Sequence, residues 1–114
     1  NGLVDGLISY DTMGPGQSWV RFSGISDTLL VASLVPVEED VLRVRYGFCQ
    51  PRTQAEGPSA GLARAIIRDI CKQLDQDKVI WDRMRFEANP VICDGDGPIP
   101  QFRQWYSRYY AKAG

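Results

Sequence analysis

Asp77 is the residue whose position in this chain most needs a chemical explanation. Residues 58–84 read as one long helix. Its apolar positions, Ala63, Ile66, Ile67, Ile70, Leu74 and Trp81, recur by threes and fours and share one face. At roughly 100° per residue, Asp77 falls about 20° from Ile70, in the middle of that stripe. Asp69 and Asp75 point away from it, where charge is cheap. An ionised carboxylate in a core costs several kcal/mol unless it is paired or bound to a metal. Unless curvature leaves this helix position exposed, two chemistries meet that condition. One is a buried salt bridge, with Arg21, Arg43 or Arg45 in reach. The other is metal ligation. The chain has no histidine, and a carboxylate that binds iron or zinc normally works with imidazole ligands. The remaining ligands of a metal site would have to come from protein outside this sequence.

Other residue groups are read as structural. The loop Asp94-Gly95-Asp96-Gly97 lacks the length and closing Glu of an EF-hand loop and reads as a turn. Ser9, Ser18, Ser23 and Ser33 have no histidine to activate them, which excludes nucleophilic serine chemistry of the usual kind within the chain. Cys49, Cys71 and Cys93 are odd in number and lack a CxxC spacing. They read as reduced thiols, implying a cytoplasmic protein, with Cys71 as buried filler on a helix flank. The aromatic C-terminus, with Arg103, Arg108 and Lys112, reads as a helix packed on the domain or on a neighbouring subunit rather than as a base-stacking platform.

The elements that must position Asp77 follow from periodicity. Residues 3–10 read as a strand, and Gly14-Pro15-Gly16 as a turn. Residues 18–23 alternate Trp19, Arg21 and Ser23 against Val20 and Phe22. Residues 28–37 form the strongest strand, with Leu30, Ala32 and Leu34 opposed to Leu29, Val31, Ser33 and Val35. Glu38-Glu39-Asp40 is a hairpin tip. Residues 41–49 set Leu42, Val44, Tyr46 and Phe48 against Val41, Arg43, Arg45 and Gly47. Strands this close predict an antiparallel meander. A loop spans 51–57, the long helix spans 58–84, Asn89-Pro90 stops it, and residues 101–111 form a short helix. The fold class is α+β, with a long helix across a curved antiparallel sheet and the Asp77 face turned into the space between them. A small-molecule pocket belongs in that space.

The sequence has 114 residues, 44% of them hydrophobic, and a formal net charge of −1. That is one domain or part of one. Neither nucleic acid nor an anionic membrane is an expected partner. No apolar run approaches the ~18 residues of a membrane span. The chain opens on Asn1 rather than Met, which suggests a piece of a longer protein.

Three spaced segments carry a family resemblance. They are Lys72-Gln73-Leu74-Asp75-Gln76-Asp77-Lys78-Val79-Ile80-Trp81, then Cys93-Asp94-Gly95-Asp96-Gly97-Pro98-Ile99, then Phe102-Arg103-Gln104-Trp105-Tyr106 with Tyr109-Tyr110. The hairpin of residues 34–45 adds a fourth. Together they resemble the C-terminal part of Rieske-type non-haem iron oxygenases, in the branch of the 3-ketosteroid 9α-hydroxylase oxygenase component and the cholesterol 7-desaturases. The resemblance covers the last 80 or so residues well and the first 30 loosely.

The resemblance implies a partial helix-grip (Bet v 1-like or START-like) domain. Residues 1–50 would supply strands, 58–84 the helix, and 85–114 a loop and the aromatic helix. It implies a mononuclear Fe(II) held by two histidines and a carboxylate, with Asp77 at the carboxylate position. Such a triad leaves sites open on one side of iron for O2 and substrate. Electrons would come from a Rieske [2Fe–2S] centre held by two Cys and two His. The implied partners are the missing N-terminal half with its Rieske domain, a ferredoxin reductase-type electron donor, a steroid-like or other bulky hydrophobic substrate, and further subunits, since the family forms trimers. Neither cofactor is expected on this chain alone, which lacks the Cys-x-His and Cys-x-x-His motifs and the iron-ligand histidines. Leu30, Ala32, Leu34, Leu42, Val44, Tyr46 and Phe48 would line the substrate pocket. A one-residue register error would exchange them all for the opposite face. The runner-up reading is a stand-alone helix-grip module that binds a hydrophobic ligand without chemistry. A third is a structural piece whose aromatic tail mediates assembly. The sheet edge left by a missing half-domain predicts a dimer or larger oligomer for this fragment.

Overall fold

A computed structural model describes residues 6–24 and 26–111. Four strands form one antiparallel sheet in sequence order: β1 (Leu7–Thr12), β2 (Gln17–Ser23), β3 (Thr28–Glu38) and β4 (Val41–Cys49). Three helices follow: α1 (Arg52–Ala55), α2 (Ala60–Trp81) and α3 (Ile99–Ser107). The α+β class and the antiparallel meander are as the alternation and short turns predict.

Several boundaries differ from the sequence expectation; α3, expected over 101–111, starts and ends earlier, and α2 starts at Ala60 rather than 58. β1 begins and ends later than residues 3–10, and residues 3–5 lie outside the described residues. The expected loop at 51–57 contains the single-turn helix α1, too short to carry a periodic signal. α2 stops at Trp81 rather than Met84, where Asp82, Arg83 and Met84 continue in tighter turns.

Strand pairing fixes which side chains share a face. Tyr10 pairs with Val20, Val20 with Leu30 and Leu30 with Phe48; Thr12 pairs with Ser18, Ser18 with Ala32 and Ala32 with Tyr46. Leu34 with Val44 and Pro36 with Leu42 complete the same face. Directly opposed residues of an antiparallel pair lie on one side of the sheet. This is the side that carries the core, because Leu30 and Ala32 are buried. The other side presents Arg21, Arg43 and Arg45, all exposed.

α2 lies over the core side and is anchored near its start by a polar node. Gln50 follows β4 and donates through Nε2 to Thr28 Oγ1 at 2.9 Å and to the Ala63 carbonyl at 3.2 Å. Thr28, 1% exposed, also meets Ser26 Oγ at 3.3 Å, and Ser26 donates to Gln54 Oε1 of α1 at 3.3 Å. Strand, short helix and long helix therefore meet on four side chains, Gln50, Thr28, Ser26 and Gln54, whose polar groups satisfy one another, as burial requires.

Burial along the α2 stripe fades with distance from this node. Ala63 is 2% exposed and Ile70 8%, Leu74 is half-buried, and Asp77 and Trp81 are exposed. The expectation of a buried Asp77 is therefore corrected for this chain. The stripe is continuous in sequence, but the four strands cover only its first turns. Cys71 is likewise exposed rather than buried filler, as are Cys49 and Cys93.

Candidate functional site

The geometry of the site starts from Asp77. Its side chain is exposed, yet its charge reaches Tyr46 on the core side of the sheet. Burial pushes the Tyr46 phenol above the usual tyrosine range, and the negative charge of Asp77 adds to that shift. The arginines that could have neutralised Asp77, namely Arg21, Arg43 and Arg45, all stand on the opposite side. Among the described residues Asp77 has no ion-pair partner; the ion pairs present are Arg52–Glu56 and Lys78–Asp82. The salt-bridge explanation of its place on the apolar stripe therefore finds no partner among them.

A cavity of about 340 Å³ opens on the core side of the sheet, but α3 and not α2 faces it, so it does not lie in the space between the long helix and the sheet where the sequence predicts a pocket. Tyr46 shares its cross-strand row with Ala32, Ser18 and Thr12, and the last two line the cavity. Leu34, Pro36 and Leu42 supply its floor, the Gly14-Pro15-Gly16 turn with Gln17 one end, and Phe102 and Tyr106 of α3 the facing wall. The turn fits only because position 16 is glycine. Its φ is +78°, and a Cβ there would stand 2.4 Å from the Leu34 carbonyl oxygen. That carbonyl's residue donates its N–H to Gly16 O at 2.7 Å, which pins the turn over the end of β3.

The wall contributed by α3 is held from behind. Arg103 donates to the Glu87 carbonyl at 2.7 Å and stacks over Phe86 at 4.6 Å from the ring centre. Its aromatic residues also brace one another. Phe102 lies 5.8 Å from Trp105 and from Tyr106, and Trp105 lies 5.3 Å from Tyr109.

The seven pocket residues read from the strands fall into two groups. Leu34 and Leu42 line the cavity. Leu30, Ala32, Val44, Tyr46 and Phe48 stand on the same side of the sheet but outside the cavity wall, with Leu30 and Ala32 buried in the core. Strand reasoning missed Tyr10, Thr12 and Ser18, although alternation in β1 and β2 puts them on this side. It also missed Phe102 and Tyr106, because no periodicity tells where a helix beyond a loop docks.

Asp77 has the chemistry of one metal ligand: an anionic oxygen donor, unpartnered, on the sheet-facing side of a rigid helix. Among the described residues no three His, Cys, Asp or Glu side chains cluster. The described residues thus hold no complete metal site of their own. It does not fit an iron–sulfur cluster. That needs paired thiolates, whereas Cys49, Cys71 and Cys93 sit on β4, on α2 and in the loop before α3. No helix among the described residues is long and apolar enough to cross a membrane.

Comparison with known proteins agrees with the motif reading. A family profile described as the 3-ketosteroid 9α-hydroxylase C-terminal domain matches residues 8–110. The oxygenase component of a 3-ketosteroid-9-alpha-monooxygenase from Rhodococcus rhodochrous is 31% identical over 86 residues, which is 74% of this chain and 22% of that protein. Its counterpart from Mycobacterium tuberculosis is 26% identical over 87 residues, 75% of this chain and 22% of that protein. A cholesterol 7-desaturase from Xenopus laevis is 22% identical over 111 residues, 96% of this chain and 24% of that protein. The chain spans about a fifth to a quarter of the length of these curated relatives. No solved structure matches. By the extent of the profile match, this chain belongs to the 3-ketosteroid 9α-hydroxylase C-terminal domain family, the Rieske-type oxygenases that its sequence resembles.

Proposed function

We propose that this chain is the C-terminal portion of the catalytic domain of a longer Rieske-type oxygenase, one that hydroxylates or desaturates a steroid-like or other bulky hydrophobic substrate. The observation that carries the proposal is Asp77. It sits at the carboxylate position of Gln76-Asp77-Lys78-Val79-Ile80-Trp81, its charge reaches Tyr46 on the core side of the sheet, and it has no cationic partner among the described residues. In the complete protein, Asp77 would be the carboxylate ligand of a mononuclear Fe(II), with both histidines supplied by the rest of the chain.

Bound there, iron would supply the site at which O2 is reduced. The residues of this chain do the rest. Asp77 offsets part of the metal's charge, and α2, locked to the sheet by Gln50, fixes where that oxygen points. Leu34, Pro36, Leu42, Phe102 and Tyr106 hold a rigid apolar substrate and exclude water from it. A Rieske centre held by the rest of the protein would supply the two electrons the reaction needs besides O2. Hydroxylation then returns one oxygen atom in the product and one in water. Desaturation returns both in water.

The shape of the chain supports the rest of this reading. Its radius of gyration is 17.3 Å, against roughly 13 Å for a compact domain of this length. Ile80, Met84 and Phe86 are exposed, Phe86 by 79%. Further protein covering the end of α2 would complete a helix-grip domain and close Asp77 away from water. The supporting experiment uses the complete gene product with O2, an electron donor and a panel of steroids. Products heavier by one oxygen atom, or lighter by two hydrogens, are expected. A complete protein that binds steroids but never turns them over would replace the oxygenase with a binding module.

A further inference from the structure

Ser18 is 7% exposed, yet its hydroxyl has no hydrogen-bond partner among the described residues. It is also not sealed away, because no side-chain oxygen or nitrogen among them is both fully buried and unpaired. The group that leaves it this small exposure is the cavity it lines. Its register partner on β1 is Thr12, on the same side of the sheet and lining the same cavity. Opposed residues of such a pair hold their Cβ atoms about 5 Å apart. Two aliphatic hydroxyls therefore stand together at one place in a wall that Leu34, Pro36, Leu42 and Phe102 make largely apolar and to which Tyr10, Gln17 and Tyr106 also contribute.

We propose that Ser18, seconded by Thr12, is a specificity-determining contact that reads a single oxygen at one end of an otherwise hydrophobic ligand. A hydroxyl both donates and accepts, so the pair serves a ketone, to which it donates, or a ligand hydroxyl, with which it does either. A buried hydroxyl left dry is costly, so a site built this way discriminates against the analogue that lacks the oxygen. The inference rests on the cavity being the steroid site proposed above. It adds the polar contact that orients the substrate there, and therefore the ring carbon presented to Asp77.

The test measures dissociation constants of the complete protein for three probes. They are androstane, which carries no oxygen, and the two androstanones whose one ketone sits at either end of the ring system. The wild type should bind at least one ketone about tenfold more tightly than androstane, the value of one net hydrogen bond. Ser18→Ala should abolish that preference and leave androstane affinity within about twofold. Thr12→Val, nearly isosteric, should reduce it in part and provides a second variant should the first misfold. Preference retained in both variants overturns the inference, as does an equal loss for all three probes, which would make Ser18 only a piece of wall. A wild type that binds none of the three overturns the steroid reading itself. Steroid binding without dependence on Ser18 overturns this contact alone.

Discussion

Replacing Gln50 with Leu should loosen the start of α2 by about 2 kcal/mol. The wild-type amide has two N–H groups and uses both at good length, 2.9 Å to Thr28 Oγ1 and 3.2 Å to the Ala63 carbonyl, while its approach to Ser26 Oγ is 3.5 Å and counts for little. At about 1 kcal/mol net for each good bond, the pair is worth about 2 kcal/mol. Leucine fills much of the same volume, so the packing loss is small. Ser26 remains within 3.3 Å of Thr28, which spares Thr28 a complete loss of partners. The assay is amide hydrogen exchange by mass spectrometry on peptides spanning the first turns of α2. Where exchange proceeds by local opening, 2 kcal/mol raises the rate about 30-fold. Peptides from β1 should be unaffected. A change below about threefold at the start of α2 would refute the view that this amide holds the helix on the sheet.

Three further outcomes follow from the same contacts. Gly16→Ala should cost about 2–4 kcal/mol in urea unfolding, since it adds a clash with the Leu34 carbonyl to an unfavourable φ; Gly61→Ala, in α2 with open space around it and no positive φ, should cost nothing, and equal costs would contradict the close approach. Because the Tyr46 pKa is raised in the fold, its neutral form contributes stability that is complete below the unfolded tyrosine pKa of about 10 and is lost as pH rises through the folded value. Tyr46→Phe should flatten that alkaline loss, and Asp77→Asn should lower the Tyr46 pKa only part of the way in a tyrosinate absorbance titration, because burial is the larger cause. Arg103→Gln removes the bond to Glu87 and the stacking on Phe86, so limited proteolysis in the loop before α3 should speed several-fold, and an unchanged rate would show that α3 is held by its aromatic face alone.

Much of this architecture was legible in the residues. Alternation in residues 28–49 was strong enough to place Leu30, Ala32 and Leu34 together with Val44 and Tyr46, and the pairing puts them on one side. The stripe from Ala63 to Trp81 gave α2 its length and singled out Asp77. What the stripe could not report is how much of it is covered. Periodicity states which way a side chain points, while burial depends on whether another element lies opposite, and beyond Leu74 none of the four strands does so fully. Beyond Leu34 and Leu42, the lining of the cavity was not legible for a related reason. Its lining joins β1, the Gly14–Gly16 turn, the far ends of β3 and β4, and α3 across more than ninety positions of sequence, and only the fold brings Tyr10 opposite Tyr106. Ser18 was passed over because serine was weighed as a nucleophile, whereas its place in the wall suits it to hydrogen bonding.

The central claim is that Asp77 holds iron in the complete protein, and one spectroscopic comparison tests it. Wild type and Asp77→Asn, each as the complete gene product reduced under nitric oxide, are compared by electron paramagnetic resonance and iron analysis. The account predicts that the variant loses the ferrous nitrosyl signal of mononuclear iron while keeping the [2Fe–2S] signal, which shows that the rest of the protein is folded. A variant that keeps both signals at wild-type intensity would contradict it, and Asp77 would then be a solvent-facing carboxylate on an otherwise apolar stripe.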